Sequence, residues 1–161
     1  MSLVVHAKVT DISVRWELAD RIAGKANAPK QALESIFTGA MQALEKAANV
    51  SFQPVMKERV WEVISAQKLP ILKEALLLGV CDNILGGFND HQVAEMLAEH
   101  KATGFIKNPR YKDPINMAYR ISGDAITQEV LRQAKIMSDE WVPEIIAAVK
   151  NEGIELPDPA N

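Results

Sequence analysis

The sequence predicts an all-α fold, a single-domain bundle of five or six helices packed around a buried central helix at about residues 70–87. Three observations predict it. Apolar residues recur at three- and four-residue steps along most of the chain, and no segment shows the alternating, β-branched pattern bounded by turn residues that a sheet requires. The stretch Pro70 to Phe88, PILKEALLLGVCDNILGGF, is apolar enough to demand burial: between Ile71 and Leu85 the strongly polar residues are Lys73, Glu74, Asp82 and Asn83. Finally, 161 residues with 48% apolar and 24% charged side chains suit one self-sufficient core with no need of disulfides or a metal staple.

Taken in order, residues 1 to 9 read as a short extended arm. Thr10 is then the N-cap of a helix on which Ile12, Trp16, Ala19, Ile22 and Ala23 share a face, and Gly24 ends it. After the connector GKANAP, Pro29 suits a first helical turn, where a missing amide proton costs nothing. Leu33, Ile36, Phe37, Ala40, Met41, Leu44 and Ala47 give the cleanest amphipathic stripe in the chain, from Pro29 to about Ala48. Ser51 and Pro54 open a third helix with Met56, Val60, Val63 and Ile64 on one side. A break near Lys68 and Leu69 precedes Pro70, the start of the central helix, which stops at Gly86-Gly87.

Asn89 and Gln92 carry the spacing of a capping box, so a fifth helix runs from Asp90 to about Lys101. The segment TGFIKNPRYKDP is a loop, and Pro114 starts the next helix. Ser122-Gly123-Asp124 interrupts it, and Asp124 caps a longer helix carrying Ile126, Val130, Ala134, Met137, Trp141, Ile145 and Ala148. Pro143 implies a kink or a restart near Ser138 to Trp141. The tail over residues 154–161, with two prolines, is extended.

A net charge of −3 makes nucleic acid an unlikely whole-surface partner, and any such contact must be local. The single cysteine, Cys81, has no intrachain partner and lies in the apolar stretch, where it reads as a small buried hydrophobe. His6, Lys8 and Asp11 interrupt the N-terminal apolar run before it reaches signal-peptide length, and no stretch is long enough for membrane insertion. The expected location is cytoplasmic, or periplasmic or secreted if a leader has been trimmed.

Three constellations bear on chemistry. His91, Glu95 and Glu99 stand four residues apart on one helix, which is metal-ligand spacing, although the stripe lies opposite Val93, Met96 and Leu97 and so faces water. His100 falls within that apolar stripe, and Asp82 lies near the end of the most apolar helix. Each needs a partner if buried, so the two are expected to line one cavity, with Trp141 as a further ligand contact. Lys101, Lys107, Arg110 and Lys112, interleaved with Phe105 and Tyr111, have the composition of a small anion or nucleic-acid contact.

No phosphate loop, nucleophile elbow or catalytic carboxylate pair is present in the sequence, and no cofactor is implied. The leading functional expectation is therefore a non-enzymatic binding or assembly protein that uses an amphipathic helical face toward another protein or a second copy of itself, as in a homodimer. The alternative is a small-ligand- or metal-binding helical domain, enzymatic or not, with a polar site around Asp82 and His100.

Overall fold

The computed structural model describes the backbone of residues 2–156 and the side chains of residues 12–156. Among the described residues there are five helices and no strand: α1 (Ser2–Ala23), α2 (Ala28–Ala48), α3 (Pro54–Asn83), α4 (Asp90–Thr103) and α5 (Pro109–Asn151). The all-α class read from the residue spacing is the observed one. No helix among the described residues is long and apolar enough to cross a membrane.

The helices are fewer and longer than the sequence suggests, because three expected breaks do not occur. Pro70 lies inside α3, and α5 runs without interruption through Ser122-Gly123-Asp124 and Pro143. A proline inside a helix leaves the carbonyl four residues earlier without its donor, a defect that is tolerable where water can reach it. Pro70 and Ala66 are both exposed, as are Pro143 and Asp139. Each missing bond therefore faces solvent. Gly123 costs a helix interior only about 1 kcal/mol, too little to break a helix of this length.

Two other boundaries differ. The backbone is helical from Ser2, where an arm and a Thr10 cap were expected. Val4, Val5 and Val9 lower helix propensity by roughly half a kcal/mol each, not enough to prevent a continuous helix. Likewise α5 begins at Pro109 rather than Pro114: Asn108 is its cap, with its side-chain oxygen accepting from the Arg110 amide at 3.1 Å and its carbonyl from the Lys112 amide at 2.9 Å. Of the tail, residues 154–156 have no regular structure, and the rest lies outside the described residues.

The chain forms two compact units, Met1–Ala26 with Lys73–Glu129 and Asn27–Leu72 with Val130–Asn161, and α3 and α5 supply residues to both. In the first, α1 packs on α4. Its core holds Leu18, Ala19, Leu76, Leu77, Val80, Ile84, Leu85, Val93, Met96, Leu97, Tyr111, Ile115 and Ile126. Gly79 brings α3 and α5 close together here, since a Cβ on it would sit 3.1 Å from Ile126 Cγ2. The α3–α4 turn is held from two sides. Asn89 and Gln92 form the expected capping box, each side chain bonded at 2.9 Å to the other's amide. Across from it, the Arg15 guanidinium donates to Leu85 O at 2.8 Å and Phe88 O at 2.6 Å and pairs with Asp90 Oδ1 at 3.0 Å.

The second unit is drawn from α2, the N-terminal part of α3 and the C-terminal part of α5, with Leu33, Phe37, Met41, Met56, Val60, Ile64, Val130, Trp141, Ile145 and Val149 buried. The Phe37 and Trp61 rings meet edge to face at 5.2 Å. Glu45 organises the α2–α3 turn, accepting from the Phe52 amide and from Lys57 Nζ, both at 3.0 Å. The Phe52 amide, and after it Lys57, hold the Glu45 carboxyl below the ordinary carboxylate range.

Candidate ligand pocket

Asp82 does not enter the core. Leu72, Leu76, Leu77 and Val80 of α3 are buried, but Ile71, Glu74, Leu78 and Asp82 form one exposed stripe at three- and four-residue steps. The expected central helix is thus not covered on all sides, and its carboxylate has water for a partner. Asp82 does not line the pocket to which His100 contributes. Trp141 belongs to the second unit and lies buried in its core. Half-buried Cys81 has its thiol pKa pushed up, first by burial and then by the adjacent Asp82 charge, which favours the unreactive protonated form.

The metal-like stripe on α4 is occupied by other work. Glu95 accepts a hydrogen bond from the Tyr111 hydroxyl and has His91 Nε2 at 3.0 Å. Glu99 Oε1 accepts from the backbone amides of Lys107 at 2.6 Å and Asn108 at 3.1 Å, fixing the α4–α5 loop. Among the described residues no three His, Cys, Asp or Glu side chains converge as a metal site. The metal reading of His91, Glu95 and Glu99 gives way to a structural one, since both Glu95 oxygens and Glu99 Oε1 are already engaged.

The Glu95–Tyr111 pair makes stability depend on pH at both ends. The Tyr111 hydroxyl, and with it the His91 and Arg110 charges, hold the Glu95 carboxyl below its ordinary range, whereas the bond to Glu95, then burial, push Tyr111 above its own. A depressed carboxyl contributes stability above its unfolded pKa and loses it as pH falls through the folded value. A raised phenol contributes below its unfolded pKa and loses it as pH rises through the folded one. Urea midpoints of wild type and Tyr111→Phe should therefore differ most between about pH 5 and pH 10 and converge on either side. A difference independent of pH would contradict this coupling.

The basic loop residues have mostly found partners. Lys101 Nζ pairs with Glu17 Oε1 at 2.9 Å, Lys107 lies over the Phe105 ring at 5.9 Å, and Arg110 over the Tyr111 ring at 5.7 Å. Tyr111 itself is buried. Lys112 is the exception, and it meets His100 in a pocket of about 280 Å³ in the first unit. The polar lining is Arg21 from the last turn of α1, His100 from the last turn of α4, and Lys112 and Asn116 from the first turns of α5. Ile22, Phe105, Ile106 and Ile115 supply the apolar part, and Gly104 completes it. Gly104 caps α4 in the left-handed region, φ 81°, with its amide on His100 O at 2.8 Å, which turns the chain beneath the imidazole.

Within this pocket His100 is the unusual group. Its Nδ1 is buried and has no hydrogen-bond partner. Arg21 reaches Glu17 Oε1 only at 3.9 Å, and that oxygen is already held by Lys101. No acidic side chain lines the pocket among the described residues. A larger recess of about 720 Å³ in the second unit, between Val50, Phe52, Val55, Met56 and Ile154, differs in kind. There Arg59 and Glu152 are paired with each other, and the wall is completed by the last described residues.

Sequence reasoning singled out His100 and Lys112 separately, and the fold brings them together. It missed Arg21, whose signal was a cation in the last turn of α1, and Asn116, which the misplaced start of α5 left without a face. No protein-family model, curated protein or solved structure matches this chain, so its function has to be read from the chemistry of the pocket itself.

Proposed function

We propose that the chain is a small-ligand-binding helical protein whose site is the pocket between Arg21, His100 and Lys112. The observation that carries this reading is the His100 imidazole: it lines a pocket and keeps Nδ1 buried without a hydrogen-bond partner. Buried polar groups are almost always satisfied, and exceptions concentrate where a ligand or catalytic step completes them. The ring stands on the last turn of α4, so the site is built on a helix and not on a loop.

The test follows the His100 ring resonances by NMR while small organic molecules of neutral, cationic and anionic type are added. Binders should shift those resonances, and Asn116→Trp, which fills the pocket from an exposed position, should abolish the shifts without lowering the melting temperature. A ring that no molecule of any charge perturbs would defeat the reading.

Assembly through a helical face is the second reading. It is supported by Met117 and Ile121, one turn apart on α5 and 52% and 75% exposed. A mass that rises with concentration in light scattering and returns to that of the single chain in Ile121→Glu would favour it over the pocket.

A further inference from the structure

We infer that the pocket takes a small amphipathic monoanion of the carboxylic-acid class, its head between Arg21, Lys112 and His100 and its body on Ile22, Ile106 and Ile115. This rests on the pocket being a ligand site and adds the chemistry of the ligand.

The charge is the first ground. The whole chain carries −3, yet this pocket has two full cations and no acid among its described lining residues. Arg21 is only loosely engaged by Glu17, and no ion pair of Lys112 occurs among the described residues. The C-terminus of α4 opposes an anion, with a partial charge of roughly −0.5. It is outweighed by the two cations and weakened by the Gly104 amide that already caps His100 O.

His100 supplies the second ground. A proton on buried Nδ1 would be a donor with no acceptor, so the favourable tautomer carries it on Nε2. Nε2–H is then a donor that an oxyanion completes, whereas a ligand ammonium would meet two cations and find as acceptors only the Asn116 side-chain oxygen and the shielded Nδ1 lone pair. The Arg21 guanidinium matches the two oxygens of a carboxylate with two parallel bonds.

Size and polarity narrow the class further. Pockets for drug-sized ligands run from about 300 to 1,000 Å³, so about 280 Å³ suits a smaller molecule. Half of the lining side chains are apolar, which inorganic phosphate would leave uncovered. A nucleic-acid backbone needs a track of free cations, whereas Lys101, Lys107 and Arg110 are held by Glu17, Phe105 and Tyr111.

Calorimetric titration of the full chain with isovalerate, isovaleramide, isoamylamine and inorganic phosphate tests the inference. Isovalerate should bind about tenfold or more tightly than the isosteric amide, and the amine should not bind. Arg21→Gln, at an exposed position with an unchanged melting curve, should weaken isovalerate by about tenfold and leave the amide unaffected. An amide or amine as good as the acid would overturn the anionic class while leaving the pocket a ligand site, and phosphate as good as isovalerate would overturn the apolar body. If none of the four binds, this inference fails. The pocket reading fails with it only if the wider NMR set also leaves the His100 ring unmoved.

Discussion

Replacing Arg15 with alanine should destabilise the first unit by about 2–4 kcal/mol, one of the two largest single-residue effects expected in the chain. The guanidinium is 19% exposed and forms a fork: Nη1 on Leu85 O, Nη2 on Phe88 O and Asp90 Oδ1, and Nε also toward Asp90 at 3.3 Å. Two of these acceptors are backbone carbonyls in the turn after α3, of which Leu85 O also accepts the Phe88 amide at 3.1 Å, and the third stands in the first turn of α4. One side chain from α1 therefore fixes the path between two other helices. Arg15→Lys should recover less than half of the loss, because an ammonium cannot span the fork. Asp90→Asn should cost under about 1 kcal/mol, since that carboxylate is half exposed and its charge is screened. Urea unfolding gives the magnitudes, and hydrogen exchange in α4 gives the location. An Arg15→Ala chain within about 0.5 kcal/mol of wild type, with α4 protection intact, would show that the fork is ornamental.

What the sequence made legible was what depends on near neighbours. The capping box of Asn89 and Gln92, the stop at Gly24, the proline in the first turn of α2 and the buried face of Val93, Met96 and Leu97 follow from spacing and dihedral preference, and they are observed. The failures share a cause. Whether Pro70 and Pro143 break a helix depends on which side of it meets water, and whether Asp82 is buried depends on which stripe of α3 is covered. Neither is encoded within four residues. Arg15 with Leu85 and Phe88, 70 and 73 residues apart, and Arg21 with His100 and Lys112 are meetings of distant segments. The residue types were visible; their convergence was not.

Trp141 and Lys68 show the same limit, and they carry the other large effect. Trp141 is 2% exposed in the core of the second unit, with Lys68 Nζ 5.8 Å from its ring centroid and 2.6 Å from Glu144 Oε2. Lys68 is the one charged side chain among the buried described residues. Trp141→Ala should cost about 3–5 kcal/mol, because the indole's packing is lost and a cavity of its size cannot close fully. Lys68→Met behaves differently. It removes a charge whose burial is itself costly, keeps the apolar stem, and returns Glu144, 46% exposed, to water, so its cost should stay below about 1 kcal/mol. The ring and the ammonium are coupled, and with the indole gone Lys68 is left with Glu144 alone. The double variant should therefore lie about 0.5–2 kcal/mol from the sum of the single effects. A Trp141→Ala cost below about 1.5 kcal/mol would mean that the site collapses around the missing ring. Strict additivity with Lys68→Met would mean that the cation is held by Glu144 and the hydrophobic stem, with the aromatic face contributing nothing to its burial.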